Sequence, residues 1–215
     1  MNKSNFLINS RTVKVLQDLY SKYRDGEIPS IHANIYEIAL AVGMNESKEV
    51  EKDFNYVLQL AQRNNPVEVR AALLAIGGVN DPNFVNRALD MVFNQDLISS
   101  QNIPLVLRGL GVYAPRSLLL ANRELLWKWF TSNWKVLHKN YSSTLGLLNM
   151  VFSACAGQTN EDFLIELKSW SEGRDLPEPS ERIKEINGIQ RTVLNRISYL
   201  EVSLRCAKRD TDDVK

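Results

Sequence analysis

The chain has 215 residues, 44% of them apolar, with 26 basic against 25 acidic side chains. That length and balance exclude a disordered or fibrous protein and leave room for a core that needs no covalent staples. A net charge of +1 gives no basic field with which to hold a nucleic acid or an anionic membrane. No window approaches the length of an apolar membrane span, and Met1–Phe6 lacks the apolar stretch of a secretion signal.

The expected elements are all helices. Sustained apolar/polar alternation between turn residues, the mark of a strand, is absent. Helix starts are explicit: Asn65-Pro66 and Asp81-Pro82 each place a capping side chain before a proline at the first helical position, and Ser99 and Thr159 are further caps. Glycines at 43, 77–78, 109/111 and 157 read as helix stops. Four Gly-terminated apolar helices are thus predicted over 31–42, 66–76, 101–110 and 144–156. More polar partners follow over 47–62, 82–93, 118–139 and 161–171.

Gly43 to Gly77 and Gly77 to Gly111 are both 34 residues, and Gly111 to Gly157 is 46. Helix pairs at that period describe an α-solenoid of antiparallel pairs of the HEAT or TPR kind, because one pair cannot bury its apolar face alone. A last helix is expected over 181–208, carrying Ile186, Ile189, Val193, Ile197, Leu200 and Leu204, followed by a polar tail at 210–215. The whole of 1–209 reads as one helical domain.

Chemistry-bearing motifs are missing. Neither His-Glu-x-x-His nor any phosphate-binding glycine loop or Gly-x-Ser-x-Gly elbow occurs, and His32 and His138 lie 106 positions apart. Both histidines read as helix-end residues. Cys155 and Cys206 are too few for a zinc knuckle or a disulfide framework and suit a reducing, cytoplasmic compartment. Trp127 and Trp134, seven apart on one helix face with Leu126, Phe130 and Leu137, read as core, whereas Trp129 lies off that stripe. Arg70 and Arg108 sit on successive apolar helices and could hold a carboxylate between them; Tyr113, just beyond the second, joins them as a candidate peptide contact.

Several stretches, in order, resemble the C-terminal helical domain of M1-family zinc aminopeptidases. They are Ile31-His32-Ala33-Asn34; Val69-Arg70-Ala71-Ala72-Leu73-Leu74-Ala75-Ile76-Gly77 with Asp81-Pro82-Asn83-Phe84; and Ser100-Gln101-Asn102-Ile103. The fullest is Asn122-Arg123-Glu124-Leu125-Leu126-Trp127-Lys128-Trp129-Phe130 with Asn133-Trp134-Lys135-Val136-Leu137, and Ile189–Leu200 follows. The resemblance is nearest to the cytosolic puromycin-sensitive and fungal alanine/arginine types. Asn102 stands where the family commonly has Asp, and Tyr199 where it has Trp.

The resemblance implies a bowl of HEAT-like helix pairs that caps the active site of an upstream domain and contacts peptide substrates. It also implies a zinc ion in that upstream domain, whose His-Glu-x-x-His and Gly-x-Met-Glu-Asn motifs are not in these 215 residues. The expectation is therefore a segment with no cofactor and no catalytic or metal residue of its own, partnered by the catalytic domain of the same polypeptide. Two rival expectations stand beside it. One is a free-standing HEAT-like module that binds a partner protein or peptide. The other is self-association through exposed solenoid ends.

Overall fold

The computed structural model describes residues 10–79, 81–113, 119–141, 144–158, 161–172 and 174. Those residues form ten α-helices and no strand: α1 (Ser10–Arg24), α2 (Ala33–Asn45), α3 (Val50–Ala61), α4 (Pro66–Gly77), α5 (Pro82–Asp90), α6 (Ile103–Val112), α7 (Leu119–Ser132), α8 (Trp134–Asn140), α9 (Thr144–Ala154) and α10 (Glu161–Ser171). A 3-10 turn, Met91–Phe93, follows α5. The expected cap at Thr159, the helix over 181–208, Cys206 and the tail at 210–215 lie outside the described residues.

Local chemistry sets the starts. Asn65 and Asp81 accept from the backbone N–H of Val67 and Asn83, each with proline as the first helical residue. His32 caps α2 with its ring, Nδ1 accepting from the Asn34 N–H at 3.3 Å. The Ser99 cap is corrected: α6 begins only at Ile103, after a turn in which the Asn102 N–H donates to the Ser99 carbonyl.

The helix expected over 118–139 is two helices. At Asn133 the chain turns, and its side-chain amide donates to the Trp129 carbonyl while the Thr131 hydroxyl donates to that of Trp127. The Trp129 carbonyl also accepts from the Asn133 backbone N–H at 3.0 Å, so the side-chain amide adds a second bond at the end of α7.

Helices α2, α4, α6 and α9 pack in chain order, with α1 against α2, α3 against α4, and α7 against α6 and α9. The centre of this row is α4, where Ala71 through Gly77 are all buried. A helix apolar on every side has to be enclosed on every side, and α2, α3, α5 and α6 all touch α4. The stripe predicted on the longest helix faces inward, with Leu126 and Phe130 on α7 and Leu137 on α8 buried; Phe54, Val57 and Leu60 of α3 are buried too. Trp127 is buried against Phe163 and Trp170 of α10, whose ring also meets Trp134. Trp129 is half-buried, with the Phe93 ring 5.5 Å away.

The glycines need the largest correction. Gly43, Gly109 and Gly111 lie inside helices, and Gly78, which caps α4, has φ −91°. Of these stops, Gly157, after α9, combines a helix end with a left-handed φ of +83°, as does Gly26 after α1 with φ +78°. The others sit where helices touch. A Cβ on Gly43 would strike the Tyr20 ring, on Gly77 the α6 backbone, on Gly109 the Leu74 carbonyl and on Gly111 the Ala156 carbonyl. Gly77 and Gly78 do end α4 as expected, so the 34-residue recurrence marks close approach between neighbouring helices and, at α4, a helix end as well.

A polar clamp fastens α1. The Asp53 carboxylate of α3, only 3% exposed, accepts from Tyr20 Oη at 2.8 Å, Arg24 Nη1 at 2.7 Å and Ser47 Oγ at 2.6 Å. The hydrogen bonds that Arg24 donates to Asp25 and to Asp53, in that order, raise its pKa. Burial, then Asp53, pushes that of the Tyr20 phenol up.

Candidate functional site

The three residues singled out from the sequence come together. Arg70 lies on α4, Arg108 on α6, and Tyr113 immediately after α6. What joins Arg70 to Tyr113 is a residue that the sequence reading missed, Glu37 on α2. Its Oε2 is 3.7 Å from Arg70 Nε, and its Oε1 accepts a hydrogen bond from the Tyr113 hydroxyl. The Arg70 side chain is 51% exposed and that of Glu37 29%, so the pair is open to solvent. Burial lowers the Arg108 pKa, with opposing contributions from Tyr113 and Glu37 and a reinforcing one from Arg70. Burial pushes the Tyr113 phenol up, and the negative charge of Glu37 adds to it.

The backbone behind the cluster is held as well. Asn45 Nδ2, at the end of α2, donates to the Tyr113 carbonyl at 2.9 Å. A Cβ on Gly78 would come within 3.0 Å of Tyr113, so α4 ends close against the residue that closes α6. Glu37, Arg70 and Arg108 thus belong to three helices in direct contact, α2 to α4 and α4 to α6. The only hint of Glu37 in the sequence was an acid on an otherwise apolar helix, 33 positions before Arg70.

Two guanidinium groups against one carboxylate leave the cluster with an excess of positive charge, and a guanidinium fork suits a planar carboxylate. Nothing in the cluster is arranged as a nucleophile with its base. Among the described residues, no group of three or more His, Cys, Asp and Glu is placed to hold a metal ion. His32 and His138 are both exposed, one capping α2 and the other in the last turn of α8 beside Trp134. Among the same residues no helix is long and apolar enough to cross a membrane.

Comparison with known proteins decides the family. The ERAP1-like C-terminal domain matches residues 5–187. The chain belongs to this family. Relatives of the domain include glutamyl aminopeptidase of Bos taurus, 23% identical over 85% of this chain and 18% of its own length. The glutamyl aminopeptidase of Sus scrofa is 24% identical over 94% of the chain and 20% of its own length. Aminopeptidase 2 of Candida albicans is 23% identical over 70% of the chain and 16% of its own length. The chain spans a fifth or less of the length of these relatives.

Proposed function

We propose that this chain is the C-terminal helical segment of an M1 zinc aminopeptidase. In this reading it closes the cavity over a zinc centre carried elsewhere in the polypeptide and holds peptides so that their N-termini reach that centre. The observation that carries the reading is the family match over 5–187, with aminopeptidases as the relatives. The row α2–α4–α6–α9 with its partner helices supports a HEAT-like bowl. Arg70, Arg108 and Tyr113 are its peptide contacts. The two guanidinium groups suit peptide carboxylates and the Tyr113 hydroxyl can add a hydrogen bond; all three stand on the adjacent helices α4 and α6 or just beyond them.

The segment's share of catalysis is geometric: holding a substrate in place and excluding water lowers the entropic cost of reaction without adding a reacting group. A cytoplasmic setting belongs to the same reading and rests on the free thiol of Cys155.

The test is a mixing experiment. The chain is added to the separately expressed zinc domain of its polypeptide, and release of N-terminal residues from short and long peptides is followed with and without a chelator. Restored or length-dependent cleavage is expected, with no hydrolysis by the chain alone. Chelator-sensitive cleavage by the chain alone, or no effect when both folded fragments are mixed, would overturn the reading.

A further inference from the structure

Helix pairs stacked in a row touch only their neighbours, so small rotations at successive interfaces add up and the row bends easily. Helices α2, α4 and α6 follow that pattern, with α2 packed on α4 and α4 on α6. Tyr113 departs from it. It closes α6, yet two of its polar groups are bound to α2: its carbonyl accepts from Asn45 Nδ2 at 2.9 Å, and its hydroxyl donates to the Glu37 carboxylate. Those partners are separated by two helical turns, about 12 Å along the axis, so the tyrosine runs lengthwise against α2.

The end of α4 lies against this bridge. Gly78 leaves the space that Tyr113 fills, since a Cβ there would come within 3.0 Å of the Tyr113 Cβ and carbonyl oxygen. The other oxygen of Glu37 is 3.7 Å from Arg70 Nε, which draws α4 to the same carboxylate. The Tyr113 ring is partly buried against the core, and a hydrogen bond to an ionised acceptor gains strength where water is partly excluded.

We propose that Tyr113 is a strap that ties α2 to the end of α6 past α4 and so fixes how far this part of the row bends. The α2–α4 and α4–α6 interfaces both lie inside the loop that the strap closes. With the strap fastened, neither interface rotates unless the other compensates. With the hydroxyl bond released, α2 stays held at Asn45 and its start swings away from α6. The strap acts within this chain, whether or not peptides contact this face.

Pulsed electron double resonance on the full chain tests this. Nitroxides are attached at Asn34→Cys in α2 and Gln101→Cys ahead of α6, both exposed positions, in a chain carrying Cys155→Ala and Cys206→Ser. Tyr113→Phe, which removes only the hydroxyl, is expected to shift the mean distance by about 2 Å or more, the scale of a helix shift at an interface. Glu37→Ala should shift it in the same direction, and adding Tyr113→Phe to Glu37→Ala should change nothing further. Hydrogen exchange of the unlabelled chain is the second readout. Tyr113→Phe should quicken exchange in α2 and α6 together by about fivefold or more, while α10 keeps its rate.

An unmoved distance in a folded variant would overturn the inference, and with faster exchange it would reduce Tyr113 to a stabilising contact. Additive shifts would overturn it too, because they place the two residues in separate contacts. So would quickening confined to α6. Either single variant decides the matter where the other does not fold.

Discussion

Gly77 and Gly109 face each other where α4 meets α6: a Cβ on Gly109 would lie 3.0 Å from the Gly77 Cα and closer still to the Leu74 carbonyl oxygen. The obstacle is backbone, which cannot swing aside as a side chain does. Gly109→Ala should therefore cost about 1–3 kcal/mol through overpacking, even though alanine is the better helix former in isolation. Urea unfolding followed by circular dichroism checks this. A neutral or stabilising effect would mean that the two helices part at little cost.

The clamp at Asp53 predicts an asymmetry between two substitutions. Asp53→Ala leaves the buried Tyr20 hydroxyl and the Ser47 hydroxyl without their acceptor and removes the Arg24 ion pair, although Arg24 keeps Asp25. A loss of about 2–4 kcal/mol is expected. Asp53→Asn keeps one acceptor oxygen and should lose less. Equal losses in thermal melts of the two variants would show that charge, not hydrogen bonding, is what Asp53 supplies.

Alkaline pH should unfold the chain through its tyrosines. Burial raises the phenols of Tyr20, Tyr36 and Tyr113, and raises Tyr56 to about 12. Above the ordinary tyrosine value of about 10, the unfolded chain releases phenolic protons that the folded chain retains. Stability from these groups is thus complete below about pH 10 and falls as pH rises through the folded values. Melting temperatures taken across that window, with tyrosinate absorbance near its ultraviolet maximum as a second readout, should fall together with the appearance of tyrosinate. Tyrosinate forming well before any loss of structure would contradict the burial of these rings.

Cys155, the residue after α9, is buried, and burial pushes its thiol pKa up. The nucleophile in thiol chemistry is the thiolate, so this cysteine should resist alkylation in the native state and react once denaturant is added. A Cys206→Ser chain isolates its signal in a thiol-titration assay. Fast labelling under native conditions would mean that α9 opens readily.

Much of the fold was legible along the chain because its signals are local. Asn65-Pro66 and Asp81-Pro82 begin α4 and α5 by hydrogen bonds that span two residues. The stripe on α7 follows from helical periodicity alone. The break at Asn133 was not legible: an asparagine inside an apolar period is tolerated in many helices, and only the donation of its side chain to Trp129 shows it ending one.

The candidate site was half legible. Arg70 and Arg108 stood out as cations on apolar helices, a pattern that belongs to each helix by itself. Glu37 did not stand out, because its partner Tyr113 is 76 positions away and its partner Arg70 is 33 away.

By itself the sequence determined that this protein is helical, where most of its helices begin and which faces they bury, since capping and amphipathic periodicity act over a few residues. Only the tertiary structure decided what the recurring glycines do. A glycine that ends a helix and a glycine that lets another helix approach look alike in one dimension. They part only when the Tyr20 ring, the Leu74 carbonyl or the Ala156 carbonyl is found occupying the space of a missing Cβ.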